Sequence, residues 1–333
     1  MTAEAWPKDW LEPVHACLFC GSSELEPFLD GVRDWYFEAV PGEFTFSRCL
    51  RCQSLVLDNR PRPEHIAKAY AGYYTTAEHP PDDEALSVKG ALRQRVRIGY
   101  ARARFGASSD VIDQGIAFAT RFLPARKRSI EIQYRFLPEA QDRQLQVLDY
   151  GCGNGDYLER VAEIGHEALG VDFDPDAVSL ARSRGLNVIE NDAIDEGAFK
   201  QRFHHITANH VLEHVDDPVR LLKRFHAWLK PGGNLFLELP NARSRGLSAD
   251  GRFWRGLEAP RHFALPSKSG LDSALARSGF VDFDQIERPE LEEAMANHAL
   301  AIKKRFPQVS SGVGLPGDPS EGEFITAIAR KGA

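Results

Sequence analysis

The segment from Val147 to Gly155, with the sequence VLDYGCGNG, constrains the fold of this chain more than any other segment. Two apolar residues followed by Asp149 predict the end of a buried strand. Glycines then occupy every second position: Gly151, Gly153 and Gly155. Such spacing predicts a sharp turn whose backbone a ligand can approach closely. Residues 156–164 have a helical apolar pattern, so the sequence predicts a strand, a glycine turn and a helix.

The residue after the third glycine restricts the ligand of this turn. A dinucleotide fingerprint has glycine where this chain has Asp156, with a pyrophosphate at the helix N-terminus. A carboxylate at that point repels a pyrophosphate, whereas a sulfonium cofactor with an ammonium group and no phosphate tolerates it. The turn therefore disfavours a nicotinamide oxidoreductase.

Two further predicted strands also lead to acids. Asp172 ends the strand over 169–172 and is placed to accept hydrogen bonds from two ribose hydroxyls, while Asp192 follows the strand that starts at Asn187 and can accept from an adenine amino group. Three acids at three strand ends thus surround one adenosine. The predicted cofactor residues are Asp149, Gly151, Gly153, Gly155, Asp172, Phe173, Asn191, Asp192, Ala193 and Asn209.

These motifs resemble the class I S-adenosylmethionine-dependent methyltransferases over about residues 145–285. The resemblance continues through NHVLEHV at 209–215, LKPGG at 229–233 and ELPN at 238–241. It implies S-adenosyl-L-methionine as cofactor and an α/β fold with a Rossmann-like seven-stranded methyltransferase sheet. Segments 281–287 and 324–330 are predicted as the last two strands, with a helix over 290–305 between them.

Four of the five cysteines form two Cys-x-x-Cys pairs with 28 residues between the pairs: Cys17, Cys20, Cys49 and Cys52. Two such pairs can supply a tetrahedral Zn²⁺ site, and in a reducing compartment they favour metal over disulfides. The gap exceeds the usual ~15–20 residues, and Gln53 stands where glycine often follows the second pair. The sequence predicts a zinc ribbon, with one reversible disulfide as the alternative. Cys152 is expected to pack beneath the glycine turn.

The rest of the chain suggests three domains. We predict a zinc-ribbon domain over 1–60, a helical cap or linker over 61–140, and the methyltransferase domain over 141–333. Within the linker, 89–104 is rich in arginine and predicts a basic helix, either a solvated face or a contact with a phosphate-bearing substrate or a membrane surface. The apolar segment 111–123 is expected to pack against the core.

The order of ribbon, core and the segment WRGLEAPRHF at 254–263 resembles bacterial methyltransferases of sugar and surface-polysaccharide pathways. This resemblance implies a small-molecule or a nucleotide-linked or lipid-linked sugar acceptor, methylated at oxygen or carbon. An RNA-modifying methyltransferase and a non-catalytic adenosyl-binding scaffold remain as alternatives, because fold and family do not fix the acceptor.

Methyl transfer from a sulfonium needs an aligned nucleophile and a group that removes its proton. His262 is the first candidate base, because it lies in the loop predicted to cover the acceptor, and His214 is the second. His210, Glu213 and His214 have helical spacing, which predicts that they share one helical face. Tyr74 is a weaker candidate. The alternative for each histidine is a structural role in the core.

Two other features of these segments have alternative interpretations. Arg261 can hold a phosphate or carboxylate of the acceptor, or form an ion pair. The pattern His-x-x-Glu-His also matches an inverted zinc-peptidase motif, which its position after a nucleotide-fold strand argues against. Some quinone-pathway methyltransferases bind a divalent ion at an acid-rich version of this turn, but here His210 replaces the first acid.

Composition narrows the class of protein. The 333 residues are 43% hydrophobic and 27% charged, which is typical of globular domains with a buried core. The net charge of −7 argues against nucleic acid as the main partner. Because the N-terminus is polar and no run approaches the ~18–20 apolar residues of a membrane span, we expect a cytoplasmic protein.

Overall fold

The computed structural model describes residues 6–70, 87–139, 143–289, 292–312 and 321–332. Its strands, in chain order, are β1 (Leu11–Pro13), β2 (Leu25–Val32), β3 (Phe44–Cys49), β4 (Leu55–Leu57), β5 (Asn59–Pro61), β6 (Gln146–Tyr150), β7 (Glu167–Asp172), β8 (Val188–Glu190), β9 (Phe203–Asn209), β10 (Leu229–Pro240), β11 (Ala264–Leu265), β12 (Asp282–Ile286) and β13 (Phe324–Arg330). Its α-helices are α1 (Ile66–Ala69), α2 (Val88–Phe105), α3 (Val111–Thr120), α4 (Pro124–Gln133), α5 (Asp156–Glu163), α6 (Pro175–Ser183), α7 (Glu196–Phe199), α8 (Pro218–Trp228), α9 (Arg245–Asp250), α10 (Lys268–Arg277) and α11 (Glu292–Arg305). None of the described helices is both long and apolar enough to cross a bilayer.

A seven-stranded sheet has the order β12-β13-β10-β9-β6-β7-β8. Strand β6 pairs in parallel with both β7 and β9, and β7 pairs in parallel with β8. Chain order reverses at β6, so the carboxyl ends of β6, β7 and β9 flank a topological switch point, where α/β sheets bind ligands. The predicted seven-stranded α/β fold is confirmed, including its last two strands and the helix between them.

The chain divides into two compact units, each built from segments distant in sequence. The first contains Met1–Tyr73, His210–Arg224 and Leu237–Ala327. The second contains Tyr74–Asn209, Phe225–Phe236 and Ile328–Ala333. The core of the first includes Phe46, Trp254 and Phe263. In the second, Cys152 packs beneath the glycine turn against Leu158, as expected. The boundaries expected at residues 60 and 140 stay predictions.

In the first unit, a four-stranded sheet has the order β11-β4-β3-β2. Strands β2, β3 and β4 pair antiparallel in succession, and β11 pairs antiparallel with β4 through Ala264 and Leu265. The N-terminal sheet therefore includes a strand from the far end of the chain. The long gap between the two cysteine pairs is occupied by β2 and β3, which explains its length.

The helices before the seven-stranded sheet bear on two predictions. The basic segment forms helix α2, as predicted. Segment 111–123 packs against the core only in part: Ile116 and Ala117 pack against a core cluster of the second unit, whereas Val111, Phe118 and Phe122 are 87%, 61% and 68% exposed. Helical periodicity identifies an apolar face, but it does not say which face of a helix meets the rest of the protein.

Candidate functional site

The loop between β6 and α5 carries the glycine motif on left-handed backbone. The φ angles are 52° at Gly153 and 87° at Gly155. A Cβ atom at Gly155 would lie 2.3 Å from Cδ1 of Leu186, whereas one at Gly153 would meet no atom of the described residues within 4 Å. The loop is therefore closely packed at Gly155 and open beside Gly153.

Asp172 stands beside this loop at the end of β7. Its Oδ2 accepts a hydrogen bond from the N–H of Gly153 at 2.8 Å, and its Oδ1 accepts one from the N–H of Asp174 at 3.0 Å. Burial raises the pKa of the Asp172 carboxyl, and the backbone hydrogen bonds partly oppose that shift. Each oxygen keeps a further lone pair that can accept a hydroxyl donor.

Asp149, on β6, is fully buried and incompletely paired. Its Oδ1 accepts from the hydroxyl of Thr207 at 2.6 Å and from the guanidinium of Arg135, while its Oδ2 has no hydrogen-bond partner in the described part of the chain. Burial raises its pKa, and Arg135 opposes the shift. On β9, Oδ1 of Asn209 is a second buried acceptor without a described partner. Unpaired buried acceptors are costly, so both favour a ligand with N–H or O–H groups.

The sequence reasoning missed Arg135. This residue follows α4 with a φ of 48°, and its guanidinium hydrogen bonds to Asp149 and, at 2.7 Å, to the hydroxyl of Thr207. It also stacks over the ring of Tyr157 at 4.0 Å. No pattern in the sequence links position 135 to position 149, because the contact depends on tertiary structure. Its charge makes it a candidate for an anionic group of a ligand.

The remaining predicted cofactor residues follow β7 and β8. Asn191, Asp192 and Ala193 form a short 3₁₀ helix, and Oδ1 of Asn191 accepts a hydrogen bond from the hydroxyl of Tyr150 at 2.5 Å. The carboxylate-bearing residue Asp192 is exposed, and the side chain of Phe173 is 55% exposed. An exposed aromatic ring beside exposed polar groups is suited to contact a planar base.

The predicted helical face at His210 is not present. His210 follows β9 with a left-handed φ of 52°, and only Leu212–His214 form a short 3₁₀ helix. A turn nonetheless brings the pair together, because Nδ1 of His210 donates to Oε1 of Glu213 at 3.2 Å. Glu213 is fully buried and its Oε2 lacks a partner in the described residues, while the side chain of His210 is 43% exposed. The weaker candidate Tyr74 lies outside the described residues.

His262 and His214 are packed together below the surface. The two rings meet edge to face, with centroids 4.6 Å apart. Nδ1 of His262 donates to the carbonyl of Gly256 at 2.7 Å, so its Nε2 is the free acceptor, 3.5 Å from the carboxylate of Glu258. The ring of His214 also contacts Tyr70, whose hydroxyl lies 2.9 Å from Nδ1. Sequence reasoning did not assign Tyr70 to the site.

Electrostatics separate the three histidines. Desolvation lowers the pKa of His210, but the hydrogen bond and charge of Glu213 outweigh it and raise that pKa above its ordinary value. Desolvation lowers the pKa of His262 to about 4. The pKa of His214 is also lowered to about 4, by desolvation and by the neighbouring His262. Desolvation favours the neutral form of Glu213, but the three histidines hold its pKa below the usual range. Of these three rings, His210 is the one whose pKa is raised above its ordinary value.

The sequence left two roles for Arg261, binding of an anionic acceptor group or an ion pair. The structure shows an ion pair, which is buried. The guanidinium of Arg261 is fully buried and donates to both carboxylate oxygens of Asp34, at 2.5 and 3.1 Å, and to the carbonyl of Ala69 at 2.9 Å. Asp34 also accepts from backbone N–H groups of its own loop. Arg261 therefore connects two parts of the first unit, and its buried guanidinium is already engaged by Asp34 and Ala69.

The four paired cysteines converge on one point. The Sγ atoms of Cys17 and Cys52 are 3.5 Å apart, as are those of Cys20 and Cys49, and all four lie within 4.8 Å of one another. Tetrahedral zinc with bonds of about 2.3 Å separates its sulfurs by about 3.8 Å, so this donor set fits. One ligand atom from each of Glu213, His214 and His262 also lies within 4.8 Å of the others, which makes them a second group able to hold a metal ion.

The two cysteine turns have the same backbone structure. In the first turn, the N–H of Gly21 donates to the backbone carbonyl of Cys17 at 2.8 Å. In the second, the N–H of Gln53 donates to the backbone carbonyl of Cys49 at 2.8 Å. Gln53 adopts the left-handed conformation, with φ 64°, that glycine adopts in the first turn. The departure from glycine at position 53 therefore leaves the turn intact.

Comparisons with known proteins give one family and several relatives. A family model described as a methyltransferase domain matches residues 121–285. The ubiquinone biosynthesis O-methyltransferase of Xanthomonas oryzae is 36% identical over 103 residues, which are 29% of this chain and 43% of that protein. The enzyme of the same name from Proteus mirabilis is 31% identical over 110 residues, covering 30% and 44%. The chain thus spans less than half the length of these curated relatives.

Solved structures are similar at lower identity. A SAM-dependent methyltransferase from Archaeoglobus fulgidus is 23% identical, with a TM-score of 0.42 over 63% of this chain and 94% of that chain. An S-adenosylmethionine-dependent methyltransferase from Mesorhizobium loti is 18% identical, with a TM-score of 0.43 over 61% and 97%.

Proposed function

We propose that this protein is a class I S-adenosylmethionine-dependent methyltransferase that transfers a methyl group to an oxygen or carbon of a small metabolite. The methyltransferase-domain model that matches residues 121–285 and the similarity to O-methyltransferases support this proposal. The observation that carries this proposal is the buried, unpaired Oδ2 of Asp149 beside an open glycine loop. The name of the curated relatives, ubiquinone biosynthesis O-methyltransferase, supports a hydroxyl acceptor. A sugar or glycan precursor hydroxyl offers the same chemistry.

The residues of the second unit fit S-adenosyl-L-methionine. That cofactor supplies an electrophilic methyl group on a sulfonium, together with ammonium, carboxylate and ribose groups. Asp149 would accept from the ammonium, Arg135 would hold the carboxylate, and Asp172 would accept from the ribose hydroxyls through its free lone pairs. Asp192 and Phe173 would contact the adenine. Asp156, which pairs with Arg184 at 2.9 Å, stands where a dinucleotide fingerprint has glycine.

His210 is the best-placed proton acceptor in this proposal. It follows Asn209 directly at the carboxyl end of β9, and β9 is the neighbour of β6 in the sheet. Because Nδ1 donates to Glu213, Nε2 is free to accept the acceptor's proton. The pKa of His210 is raised, while the pKa values of His262 and His214 are lowered to about 4, so His210 is the strongest base of the three. The roles of His262, His214 and Tyr74 stay predictions.

The four clustered cysteines hold one structural Zn²⁺ in this proposal. Their thiolates form a complete tetrahedral set, which leaves no open position for a substrate. Hydrogen bonds join the second cysteine turn to α10, because the hydroxyl of Ser269 donates to the carbonyl of Cys52 at 3.0 Å. The metal therefore stabilises the N-terminal sheet and its contact with α10, without taking part in methyl transfer.

Alanine at Gly153 and at Gly155 is expected to have different effects. Both substitutions impose left-handed backbone on alanine, at a cost of about 1–2 kcal/mol. Gly155→Ala adds an overlap with Leu186, so its total loss of unfolding free energy is expected to reach about 2–4 kcal/mol. Gly153→Ala instead fills open space and weakens cofactor binding. Urea denaturation and calorimetry with S-adenosylmethionine measure the two effects; equal losses of stability and affinity in both variants contradict this assignment.

Asp172→Ala is expected to weaken the affinity for S-adenosylmethionine at least tenfold. Charge-assisted hydrogen bonds contribute about 1.5–3 kcal/mol each, and about 1.4 kcal/mol corresponds to a factor of ten. Asp172→Asn is the matched control, because it keeps one acceptor for the backbone N–H groups and should lose less. Calorimetry decides: binding of NAD by the unaltered protein, with no binding of S-adenosylmethionine or S-adenosylhomocysteine at millimolar concentration, contradicts the proposed cofactor.

Transfer of labelled methyl from S-adenosylmethionine tests the function itself. The purified protein is incubated with three acceptor panels, which are phenols and catechols, nucleotide-linked sugars, and RNA. We expect label in a small hydroxyl compound and none in RNA, because the net charge of −7 disfavours polyanions. Cofactor binding with no transfer to any panel supports the non-catalytic scaffold instead.

A further inference from the structure

Helix α3 has its apolar side on the outside. Spacings of four, three and four residues place Val111, Gly115, Phe118 and Phe122 on one side, and a Cβ at Gly115 would meet no described atom within 4 Å. The opposite side carries Asp113 and Thr120, 1% and 2% exposed, together with Ile116 and Ala117, which pack against the core. A surface helix ordinarily turns its apolar stripe toward the core, so this one lacks a partner within the described protein.

The buried polar side of α3 is well satisfied, which shows that this orientation is stable. Asp113 pairs with Arg95 at 2.7 Å and forms a capping box with Asp110 at the start of the helix. The hydroxyl of Thr120 donates to the carbonyl of Ile116 at 2.8 Å. Rotating the helix to bury its apolar stripe would break the ion pair between Asp113 and Arg95 and would give neither residue a new partner among the described residues.

Cations lie beside the exposed stripe and follow it in sequence. Arg121, Arg126 and Arg128 are exposed and Lys127 is half-buried, while residues 115–129 contain no acid. The guanidinium of Arg121 lies 5.2 Å from the ring centroid of Phe118 and 5.5 Å from that of Phe122. The next acid in sequence, Glu131, has a side chain only 17% exposed. A protein of net charge −7 thus concentrates positive charge beside its exposed aromatic rings.

We propose that this surface, formed by Val111, Phe118, Phe122, Arg121 and Arg126, docks on a membrane bearing anionic headgroups. Aromatic rings insert at the boundary between headgroups and acyl chains, and flanking arginines pair with lipid phosphates. A second copy of the chain fits less well, because a twofold contact would set the same cations against each other. Two cations of α2, Arg95 and Arg97, already pair with Asp113 and Glu163.

Co-sedimentation of the full chain with vesicles tests this proposal. Vesicles of phosphatidylcholine alone and with about one-third phosphatidylglycerol are compared at low and high salt. We expect binding to the anionic vesicles that weakens with salt. The double variant Phe118→Ser/Phe122→Ser and the double variant Arg121→Glu/Arg126→Glu are each expected to bind at least tenfold more weakly. Binding of S-adenosylmethionine at unchanged affinity confirms that each variant is folded.

Matched variants control for general effects of the substitutions. Val281→Ser removes another exposed apolar side chain, and Lys200→Glu reverses another exposed charge, so neither should change vesicle binding. Equal binding to neutral and anionic vesicles, or undiminished binding by the double Phe variant, overturns the proposal. So does a dimer in sedimentation velocity without lipid that the double Phe variant dissociates, because the stripe is then an interface between copies.

Discussion

Replacing His210 with alanine is expected to lower kcat about 10²- to 10⁴-fold, the usual effect of losing a general base, while the affinity for S-adenosylmethionine stays nearly unchanged. The reason is its position: His210 follows β9, has a half-exposed ring and is oriented by the buried carboxylate of Glu213. Turnover is measured with cofactor and acceptor saturating. His262→Ala is the comparison, since that buried ring is expected to affect kcat less.

The pH dependence of kcat distinguishes the candidate bases. A base must be neutral to accept a proton, and the pKa of His210 is raised above 6.5, so kcat should increase with pH through a midpoint above 6.5. A rate controlled by His262 or His214, whose pKa values are about 4, would already be maximal at pH 6. Glu213→Gln removes the charge that raises the pKa of His210, so its midpoint should move to lower pH. A lower kcat with an unmoved midpoint would assign Glu213 a structural role only.

Removal of zinc is expected to unfold the four-stranded N-terminal sheet and leave cofactor binding largely intact. Structural zinc sites contribute about 10–16 kcal/mol of binding free energy in small peptides, more than the stability of most domains. The cysteines belong to one unit and the residues proposed to bind the cofactor belong to the other. Hydrogen exchange after chelation should show lost protection in β2, β3, β4 and β11, while calorimetry still detects S-adenosylmethionine.

Cys52→Ser should reproduce the effect of chelation and abolish the zinc content measured by elemental analysis. Cys152→Ser is the matched control, because it also removes a buried thiol but lies beneath the glycine turn, and it should keep one zinc per chain. Protein purified without zinc, or a disulfide within the Cys17, Cys20, Cys49 and Cys52 group under reducing conditions, would favour the redox alternative.

The sequence predicted best those features that local rules control. Glycines at 151, 153 and 155 require left-handed backbone, and apolar strands ending in acids have few alternative folds, so β6, β7 and β8 lie where expected. The two Cys-x-x-Cys pairs likewise predicted that four cysteines come together at one point, as they do. Each of these three signals combines a residue type with a characteristic spacing in the sequence.

Predictions that needed tertiary information were less successful. Helical spacing placed His210, Glu213 and His214 on one face, but the left-handed conformation of His210 ends any such helix. Periodicity did not reveal that α3 turns Asp113, Ile116 and Ala117 inward, where Asp113 pairs with Arg95, and leaves its other apolar residues exposed. Arg135 reaches Asp149 only because the loop after α4 returns to the sheet.

The pairing of β11 with β4 limits when the N-terminal sheet can be completed during synthesis. About 200 residues separate these two strands, and the loop must close before the hydrogen bonds between them form. A ribosome adding residues from the N-terminus therefore exposes the edge of β4 until residue 265 has left the exit tunnel. During that interval the unpaired edge is open to association with other nascent chains, even if early capture of metal by the four cysteines already holds β3 and β4 in register.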